Sequence, residues 1–175
     1  MLGEATARAK RLRMMIFDVD GVLTDGTLYM NDRGEEMKAF NTRDGHGIRM
    51  LQEAGVRVGI LTARHSRVVE RRASELGVAL VRQGVADKKM AFEDMLALAA
   101  CVPLDAGYMG DDLIDLPVLI RCGFAATVPE APQLLHQRCH YVARSSGGRG
   151  AVREVCEFVL RAQDRLDAAL NGYTA

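Results

Sequence analysis

Short apolar runs alternate along this chain with longer segments of helical spacing, and this alternation constrains the fold more than any other feature. The runs are interpreted as buried strands, because they are short and end in turn or charged residues. They span residues 14–17, 56–61, 78–81, 106–109 and 124–128, and the predicted helices span residues 44–53, 66–76, 89–100, 116–122 and 150–170. Alternating strands and helices predict an α/β fold, a doubly wound, mostly parallel sheet with helices on both faces.

The composition is that of an ordinary globular protein. A length of 175 residues suits one domain over residues 1–175, and a hydrophobic content of 49% is enough for a sizeable core. Basic and acidic residues number 23 each, which argues against binding nucleic acid or a membrane surface through bulk charge. No apolar run approaches the ~20 residues that span a bilayer. The four cysteines lack zinc-site spacing, so we expect reduced thiols in a cytoplasmic protein.

Polar side chains stand at or just after the ends of the predicted strands. Asp18 and Asp20 follow the first apolar run, and Thr62 follows the second. The other members of this group are Lys88, Asp111 and Asp112. Because strands of a doubly wound sheet end at one edge, we expect these residues to meet in one pocket. Two acids as close as Asp18 and Asp20 repel each other unless a cation lies between them or one holds a proton.

The residue types in this pocket predict phosphate chemistry. Carboxylate oxygens suit a hard cation such as Mg²⁺, which commonly takes one or two of them together with water and phosphate. Lysine and threonine side chains donate well to phosphate oxygens. One carboxylate can attack phosphorus as a covalent nucleophile, and a second can protonate the leaving alcohol and then activate water. The pocket is therefore expected to bind a divalent metal and a phosphate ester.

Four motifs in this order resemble those of the haloacid dehalogenase-like phosphatase superfamily. Residues 18–24 match its first motif, Asp-x-Asp-x-x-x-Thr/Val. Thr62 matches the second motif, Lys88 the third, and the acidic pair Asp111-Asp112 the fourth. All four occur in the order that the superfamily has, which makes the resemblance far more specific than any one motif alone.

This resemblance implies a role for each member of the group. Asp18 would be the nucleophile, and Asp20 the general acid and base. Thr62 and Lys88 would hold the phosphoryl group. The Mg²⁺ ligands would be Asp18, the backbone carbonyl of Asp20, and Asp111.

Longer stretches narrow the resemblance to one family inside the superfamily. Residues 40–48, 62–64, 110–117 and 147–154 resemble the 3-deoxy-D-manno-octulosonate 8-phosphate phosphatases of lipopolysaccharide synthesis. The resemblance covers nearly the whole chain and implies a Mg²⁺-dependent phosphomonoesterase that forms an aspartyl-phosphate. The chain departs from the family at Ala63, where glycine is common, and at residues 129–131, where Pro-Glu-Ala replaces Ala-Asp-Ala. Neither departure removes a catalytic group.

The same resemblance implies contacts with a small phosphorylated sugar acid. The predicted substrate-binding residues are Asp20, Asn41, Thr42, Arg43, Asp44, Gly45, Arg64, Arg72, Lys88 and Asp112. Arg64 and Arg72 lie eight residues apart on nearly the same helical face, where both could bind a carboxylate-bearing substrate. A related nonulosonate 9-phosphate is the rival substrate.

Several alternatives stay open at this point. Asp115 either orients Lys88 or caps the next helix. A phospho-receiver domain also uses acids, a hydroxyl and a lysine, but its acidic pair lies at the first strand, whereas here the pair Asp111-Asp112 comes late. A catalytically silent scaffold is disfavoured because no catalytic position is missing.

The chain is predicted to lack a cap domain. Residues 26–40 read as a hairpin with a turn at residues 31–34, and the 43 residues from Asp20 to Thr62 leave no room for a cap beyond it and one helix. We expect an exposed apolar hairpin surface, formed by Leu28, Tyr29, Met30, Met37 and Phe40. The family resemblance implies a homotetramer whose subunits cap each other's sites, and the segment after Gly147 is expected to bring Arg149 or Arg153 near a neighbour's substrate.

Overall fold

The centre of the protein is a six-stranded sheet in which all neighbouring strands are parallel. A computed structural model describes residues 2–173. The strands are β1 (Met14–Phe17), β2 (Tyr29–Met30), β3 (Glu36–Met37), β4 (Arg57–Leu61), β5 (Leu80–Arg82), β6 (Ala106–Met109), β7 (Phe124–Thr127) and β8 (Tyr141–Val142). The sheet order β5-β4-β1-β6-β7-β8 places β1 between β4 and β6. The predicted parallel α/β sheet is confirmed.

Helices cover both faces of this sheet. They are α1 (Leu2–Lys10), α2 (Thr42–Glu53), α3 (Arg67–Glu75), α4 (Lys88–Leu98), α5 (Leu116–Leu119), α6 (Gln133–Arg138), α7 (Ala151–Ala162) and α8 (Leu166–Asn171). α7 packs against α1 and α2, and α4 packs against α5 and β4. All β1 side chains are fully buried, and successive strand residues point to opposite faces, so both faces are covered. None of the helices in residues 2–173 is both long and apolar enough to cross a membrane.

The C-terminal region differs from the single helix predicted over residues 150–170. α7 ends at Ala162, and a turn in which Asp164 has a φ of 57° leads into α8. In this turn the Gln163 side chain donates to two carbonyls at and after the end of α1, at 3.2 and 2.8 Å. The turn is therefore fixed by contacts with the other end of the chain, which the local apolar pattern does not encode.

Two elements, α6 and β8, are missing from the sequence prediction. β8 extends the sheet beside β7, where the N–H groups of His140 and Ala143 donate to β7 carbonyls at 2.9 Å each. A strand of two residues carries too little periodicity to be recognised, because its pairing partner decides its conformation.

The hairpin forms a separate two-stranded antiparallel sheet, in which β2 pairs with β3. Its predicted exposed residues Leu28, Tyr29, Met30 and Met37 are exposed, and Met37 is the most open of them at 70%. Phe40 differs from the expectation, since it is half-buried against the core. Between β1 and β4, the hairpin and α2 are the regular elements, as the short spacing predicted.

Candidate active site

The carboxyl edge of the sheet gathers the polar residues that follow the strands. Asp18 comes directly after β1, Thr62 directly after β4, and Asp111 shortly after β6. These strands are neighbours, and the N–H of Asp18 donates to the carbonyl of Met109 at 2.9 Å. Lys88 is the first residue of α4, one residue earlier than the predicted helix start. The sheet topology therefore brings together residues that are far apart in the sequence.

Lys88 lies in a buried ion-pair network. Its Nζ atom is 3.0 Å from Asp18 Oδ2 and 2.6 Å from Asp115 Oδ1. The hydroxyl of Tyr108 donates to the same Asp115 oxygen at 2.5 Å. The Lys88 side chain is only 2% exposed, so its charge is neutralised by these acids rather than by water.

Asp115 shapes the site through both of its oxygen atoms. While Oδ1 bonds to Lys88, Oδ2 accepts from the N–H groups of Asp111 and Asp112 at 3.0 and 3.1 Å. α5 itself has no side-chain cap hydrogen bond. However, Asp115 Oδ2 forms a capping box with Asp112 in the 3-10 turn, Leu113–Asp115, that leads into α5. Of the two roles left open by the sequence, Asp115 therefore serves both, since it orients Lys88 and caps this turn, and it also fixes the loop that carries Asp111.

Asp18 and Asp111 carry strongly shifted pKa values. Burial raises the pKa of Asp18 to about 8, the charge of Asp115 adds to this rise, and Lys88 opposes it. Burial, followed by the charge of Asp115, raises the pKa of Asp111 to about 7. Burial by itself would lower the pKa of Lys88, but Asp18 and Asp115 outweigh it and raise that pKa. A divalent cation would relieve this excess of negative charge.

Two of these acids have the oxygen atoms that a metal ion needs. Carboxylate oxygens of Asp18, Asp111 and Asp115 lie within 4.8 Å of one another. Both Asp115 oxygens already accept hydrogen bonds, so Asp18 and Asp111 are the better ligands. Asp18 Oδ1 is buried and has no hydrogen-bond partner within residues 2–173, an unfavourable state that a cation would correct. This all-oxygen donor set fits Mg²⁺, and the backbone carbonyl of Asp20 stays a predicted third ligand.

The loop after β1 is shaped by a close approach of backbone and carboxylate. Gly21 has a φ of 87°, and a Cβ atom there would collide with the carboxylate of Asp111. The Thr24 hydroxyl oxygen accepts the N–H of Gly21 at 3.4 Å. On the far side of this loop, the N–H of Gly148 donates to the carbonyl of Val22 at 2.9 Å. The glycine-rich stretch of residues 147–150 therefore packs against the loop that carries Asp20.

Asp20 contacts the hairpin through a second ion-pair network. The Nζ atom of Lys38 pairs with Asp20 Oδ1 and lies 3.0 Å from Glu36 Oε1. Arg64 lies 3.8 Å from Asp20 Oδ2 and 3.1 Å from Glu36 Oε1. Sequence reasoning missed Glu36 and Lys38. The period of two around β3 was the available signal, because it places both residues on the face opposite to the exposed Met37.

Two of the predicted substrate-binding residues, Asp44 and Asn41, make structural hydrogen bonds away from the acids around Lys88. The buried Asp44 carboxylate accepts from the N–H groups of Gly150 and Arg153 at 3.2 and 2.8 Å, and so ties α2 to the start of α7. The Asn41 side chain caps α2 by accepting the N–H of Arg43 at 2.8 Å. Thr42, Arg43 and Asp112 are exposed. The structure thus leaves the substrate role of this loop as a prediction.

The two arginines predicted to bind substrate lie in different places, Arg72 on α3 and Arg64 in the loop after β4. The guanidinium of Arg72 packs over the ring of Phe40, 5.9 Å from its centroid, and closely against Gly45. Thr62 is buried, and its hydroxyl oxygen accepts the N–H of Arg64 at 3.3 Å. Arg64 is therefore the arginine that the structure brings to Asp20, whereas Arg72 lies with residues 40–45.

Three known proteins similar to this chain carry the same enzyme name. The 3-deoxy-D-manno-octulosonate 8-phosphate phosphatase of Yersinia pestis is 49% identical over 162 residues, which are 93% of this chain and 87% of that protein. Its namesake in Escherichia coli K12 is 48% identical over 166 residues, 95% of this chain and 88% of that protein. A Moraxella catarrhalis phosphatase of the same name, solved with magnesium, phosphate and KDO, has a TM-score of 0.96 and 37% identity, covering 99% of both chains. No protein-family model matches the chain.

The fold of this chain is that of these phosphatases, and a similar structure from Legionella pneumophila, with a TM-score of 0.95 and 35% identity, is named as a hydrolase of the haloacid dehalogenase (HAD) superfamily. The similarity defines a phosphoric monoester hydrolase of that superfamily, and in this chain Asp18, Lys88 and Asp111 lie at the carboxyl edge of the sheet. The similarity extends over nearly the whole of both proteins in each comparison. The chain belongs to the 3-deoxy-D-manno-octulosonate 8-phosphate phosphatase family. The interpretations as a receiver domain and as a silent scaffold are therefore set aside.

Proposed function

We propose that this protein hydrolyses 3-deoxy-D-manno-octulosonate 8-phosphate to the free sugar acid and phosphate, with Mg²⁺ as its cofactor. The observation that carries the proposal is the state of Asp18, which is buried. One of its oxygens has no hydrogen-bond partner in the described part of the chain, and the other lies 3.0 Å from Lys88. Such a carboxylate is suited to bind metal with one oxygen and attack phosphorus with the other. The named activity of the relatives supports this choice of substrate.

The first step transfers the phosphoryl group to the enzyme. An Asp18 oxygen attacks phosphorus and forms an aspartyl-phosphate, while the bond from phosphorus to the sugar oxygen breaks. Asp20 gives its proton to that oxygen, so that the sugar leaves as a neutral alcohol. Lys88 and Thr62 donate hydrogen bonds to the phosphoryl oxygens.

The second step releases phosphate. Asp20, now ionised, takes a proton from water, the water oxygen attacks phosphorus, and the bond to Asp18 breaks. Both carboxyl groups thereby return to their starting states. Mg²⁺, held by Asp18, Asp111 and the carbonyl of Asp20, supplies charge neutralisation for the phosphoryl oxygens in both steps.

The sugar-acid part of the substrate needs its own contacts. In this proposal, the carboxylate of the sugar acid pairs with Arg64 and Arg72, and residues 41–45 and Asp112 complete the pocket. Arginine suits this task because its guanidinium binds a carboxylate through two parallel hydrogen bonds. A nonulosonate 9-phosphate presents the same two ends, a carboxylate and a phosphate, on a longer chain.

The proposed setting follows the family resemblance. The enzyme acts in the cytoplasm during lipopolysaccharide biosynthesis, as a homotetramer in which the apolar hairpins meet and each subunit covers a neighbour's site. Exposure of Leu28, Met30 and Met37 supports such a contact, because an apolar hairpin of this kind gains stability when it is covered.

The decisive experiment measures phosphate release from a panel of sugar phosphates, with Mg²⁺ and with a chelator. We expect the highest kcat/KM for 3-deoxy-D-manno-octulosonate 8-phosphate and no turnover in the chelator. The panel includes a nonulosonate 9-phosphate. It also includes a hexose phosphate, which carries the same phosphate group but no carboxylate on the sugar. A preference for the nine-carbon acid would transfer the assignment to that substrate. Absence of turnover by the folded, Mg²⁺-loaded protein on every compound would refute the proposal.

A further inference from the structure

Lys38 is a buried lysine in a hairpin that is otherwise open to solvent. Its side chain is 2% exposed, whereas the next residue toward the N-terminus, Met37, is 70% exposed. An ammonium group is expensive to remove from water unless opposite charges pair with it. Its partners are Asp20, on the catalytic loop, and Glu36, on its own strand. The hairpin therefore reaches the site through charged contacts, Lys38 with Asp20 and Glu36 with Arg64.

The network around Lys38 is balanced in charge. Lys38 and Arg64 each contact both Asp20 and Glu36, so two bases face two acids. Burial would raise the pKa of Glu36, but hydrogen bonds from its neighbours, Lys38 and Arg64 among them, lower it. Glu36 therefore stays ionised and holds Lys38 in place beside the catalytic loop.

The two oxygen atoms of Asp20 have different surroundings. Lys38 pairs closely with Oδ1, whereas Oδ2 lies 3.8 Å from the Nε atom of Arg64, which is beyond hydrogen-bond distance. The close contact with Lys38 on Oδ1 fixes the direction in which Oδ2 points. A proton donor must lie about 2.6–3.2 Å from the oxygen that it protonates, and small displacements reduce the rate strongly.

We propose that Lys38 is a positioning residue that holds the Asp20 carboxyl group in the orientation needed to protonate the leaving sugar oxygen. This inference rests on the proposed function, in which Asp20 is the general acid. Lys38 acts through Asp20 and contacts neither phosphate nor metal. The hairpin is then a part of the acid–base machinery as well as a surface element.

The test compares two leaving groups in Lys38→Met. A sugar alkoxide needs protonation as it departs, whereas p-nitrophenolate departs without it. Release of the alcohol in a single turnover, with enzyme in excess, reports only the first step. We expect the rate for 3-deoxy-D-manno-octulosonate 8-phosphate to fall at least about tenfold, a part of the ~10²–10⁴ that acid catalysis provides, and the rate for p-nitrophenyl phosphate to change less than about threefold.

Matched variants separate this role from a merely structural one. Arg33→Met removes a positive charge from the exposed turn of the same hairpin and should leave both rates unchanged. Lys38→Arg keeps the charge and should restore most of the rate for the sugar substrate. Glu36→Gln loosens Lys38 without removing it, and should show a smaller loss with the same selectivity. It also replaces Lys38→Met as the informative variant if that protein fails to fold.

The outcomes are distinct. Equal losses on both substrates, or no loss on either, would overturn the positioning role of Lys38. If the wild-type enzyme hydrolyses p-nitrophenyl phosphate but no sugar-acid phosphate, the proposed substrate fails instead, and the comparison of leaving groups is then made with an unactivated alkyl phosphate. A selective loss on that alkyl phosphate in Lys38→Met would still support the proposal, and an unselective one would overturn it.

Discussion

At the scale of the residue, the acids of the site differ in whether their oxygen atoms have hydrogen-bond partners. Asp115 uses both oxygens to fix Lys88 and the loop of Asp111, whereas Asp18 keeps one buried oxygen without a hydrogen-bond partner among the described residues. A buried acceptor without a partner costs free energy in the folded state. Asp18 is therefore built to react or to bind a metal, and Asp115 is built to support it.

Replacement of the nucleophile tests this division directly. In Asp18→Asn the attacking oxygen is lost while the side-chain volume is kept, so we expect phosphate release to fall by at least about 10³. The folded state should persist, since the variant removes one of the acids whose repulsion the fold must tolerate. Steady-state phosphate release and circular dichroism check the two statements. Activity within about tenfold of the wild type would mean that another group attacks phosphorus.

The pH dependence of stability follows from the same acids. In the metal-free protein the pKa of Asp18 is raised from 3.8 to about 8 and that of Asp111 from 3.8 to about 7, so the folded state binds these protons more tightly than the unfolded chain. This contribution to stability is present at acid pH and is lost as the pH rises through about 7 to 8. We therefore expect the metal-free Tm to fall between about pH 5 and pH 8.

Addition of Mg²⁺ should reverse that loss. Because the ion binds the ionised acids of the folded state, the rise in Tm on adding Mg²⁺ should be larger near pH 8 than near pH 6. Differential scanning fluorimetry at both pH values, with chelator or Mg²⁺, gives the measurement. Asp111→Asn is the control and should lose most of the Mg²⁺ effect. An equal rise in Tm at both pH values would contradict the assignment of these acids to the metal.

At the scale of the element, the contact between α2 and α7 helps to fix the positions of the loops around the site. Asp44, near the start of α2, caps the start of α7 by accepting two N–H groups across the interface. Just before α7, the N–H of Gly148 donates to the loop that carries Asp20. Movement of α7 would therefore move the catalytic loop, although α7 itself supplies none of the predicted catalytic acids.

Removal of the Asp44 cap should lower the stability of the fold more than it lowers the rate of phosphate release. Asp44→Ala leaves two N–H groups at the start of α7 without their acceptor, so we expect the free energy of unfolding to fall by about 1–3 kcal/mol. Asp44 lies in residues 41–45, the loop of the proposed substrate pocket, and both of its oxygens hold that loop against α7, so KM should rise together with the loss of stability. Urea unfolding and steady-state kinetics provide the two values. Asp32→Ala, in the exposed hairpin turn, is the control that should change neither. A large rise in KM at unchanged stability would instead support a substrate contact by Asp44.

At the scale of the whole molecule, the exposed hairpin is the surface most in need of a partner. Its inward face carries Glu36 and Lys38 to the site, and its outward face presents Met30 and Met37 to solvent. If subunits meet on the outward face, the same contact holds the inward face against Asp20. Assembly and acid–base chemistry would then depend on one small element.

A charge on the outward face should disrupt that contact. Met37→Glu is expected to lower the oligomeric mass of the protein and, with it, the single-turnover rate for the sugar phosphate. Sedimentation velocity measures the mass. Met90→Glu, an exposed methionine on α4, is the matched control and should leave the mass unchanged. A wild-type monomer, or an unchanged mass in Met37→Glu, would show that the hairpin serves its own subunit alone.

The sequence by itself determined the class of sheet, and it predicted which polar residues gather at the carboxyl edge of that sheet. Apolar runs with acids at their ends are local patterns, and the topology of a parallel sheet necessarily brings such ends to one edge, as Asp18, Lys88 and Asp111 show. The hairpin and the missing cap were also predictable, because both follow from the spacing between motifs.

Only the tertiary structure decided which charged groups meet. Three features depend on contacts between segments distant in sequence: the pairing of Lys38 with Asp20, the pairing of Lys88 with Asp115, and the turn at Asp164. The strength of an ion pair depends on separation and burial, which exist only after the loops have packed. Local periodicity identifies a face of an element, but it does not identify what that face will touch.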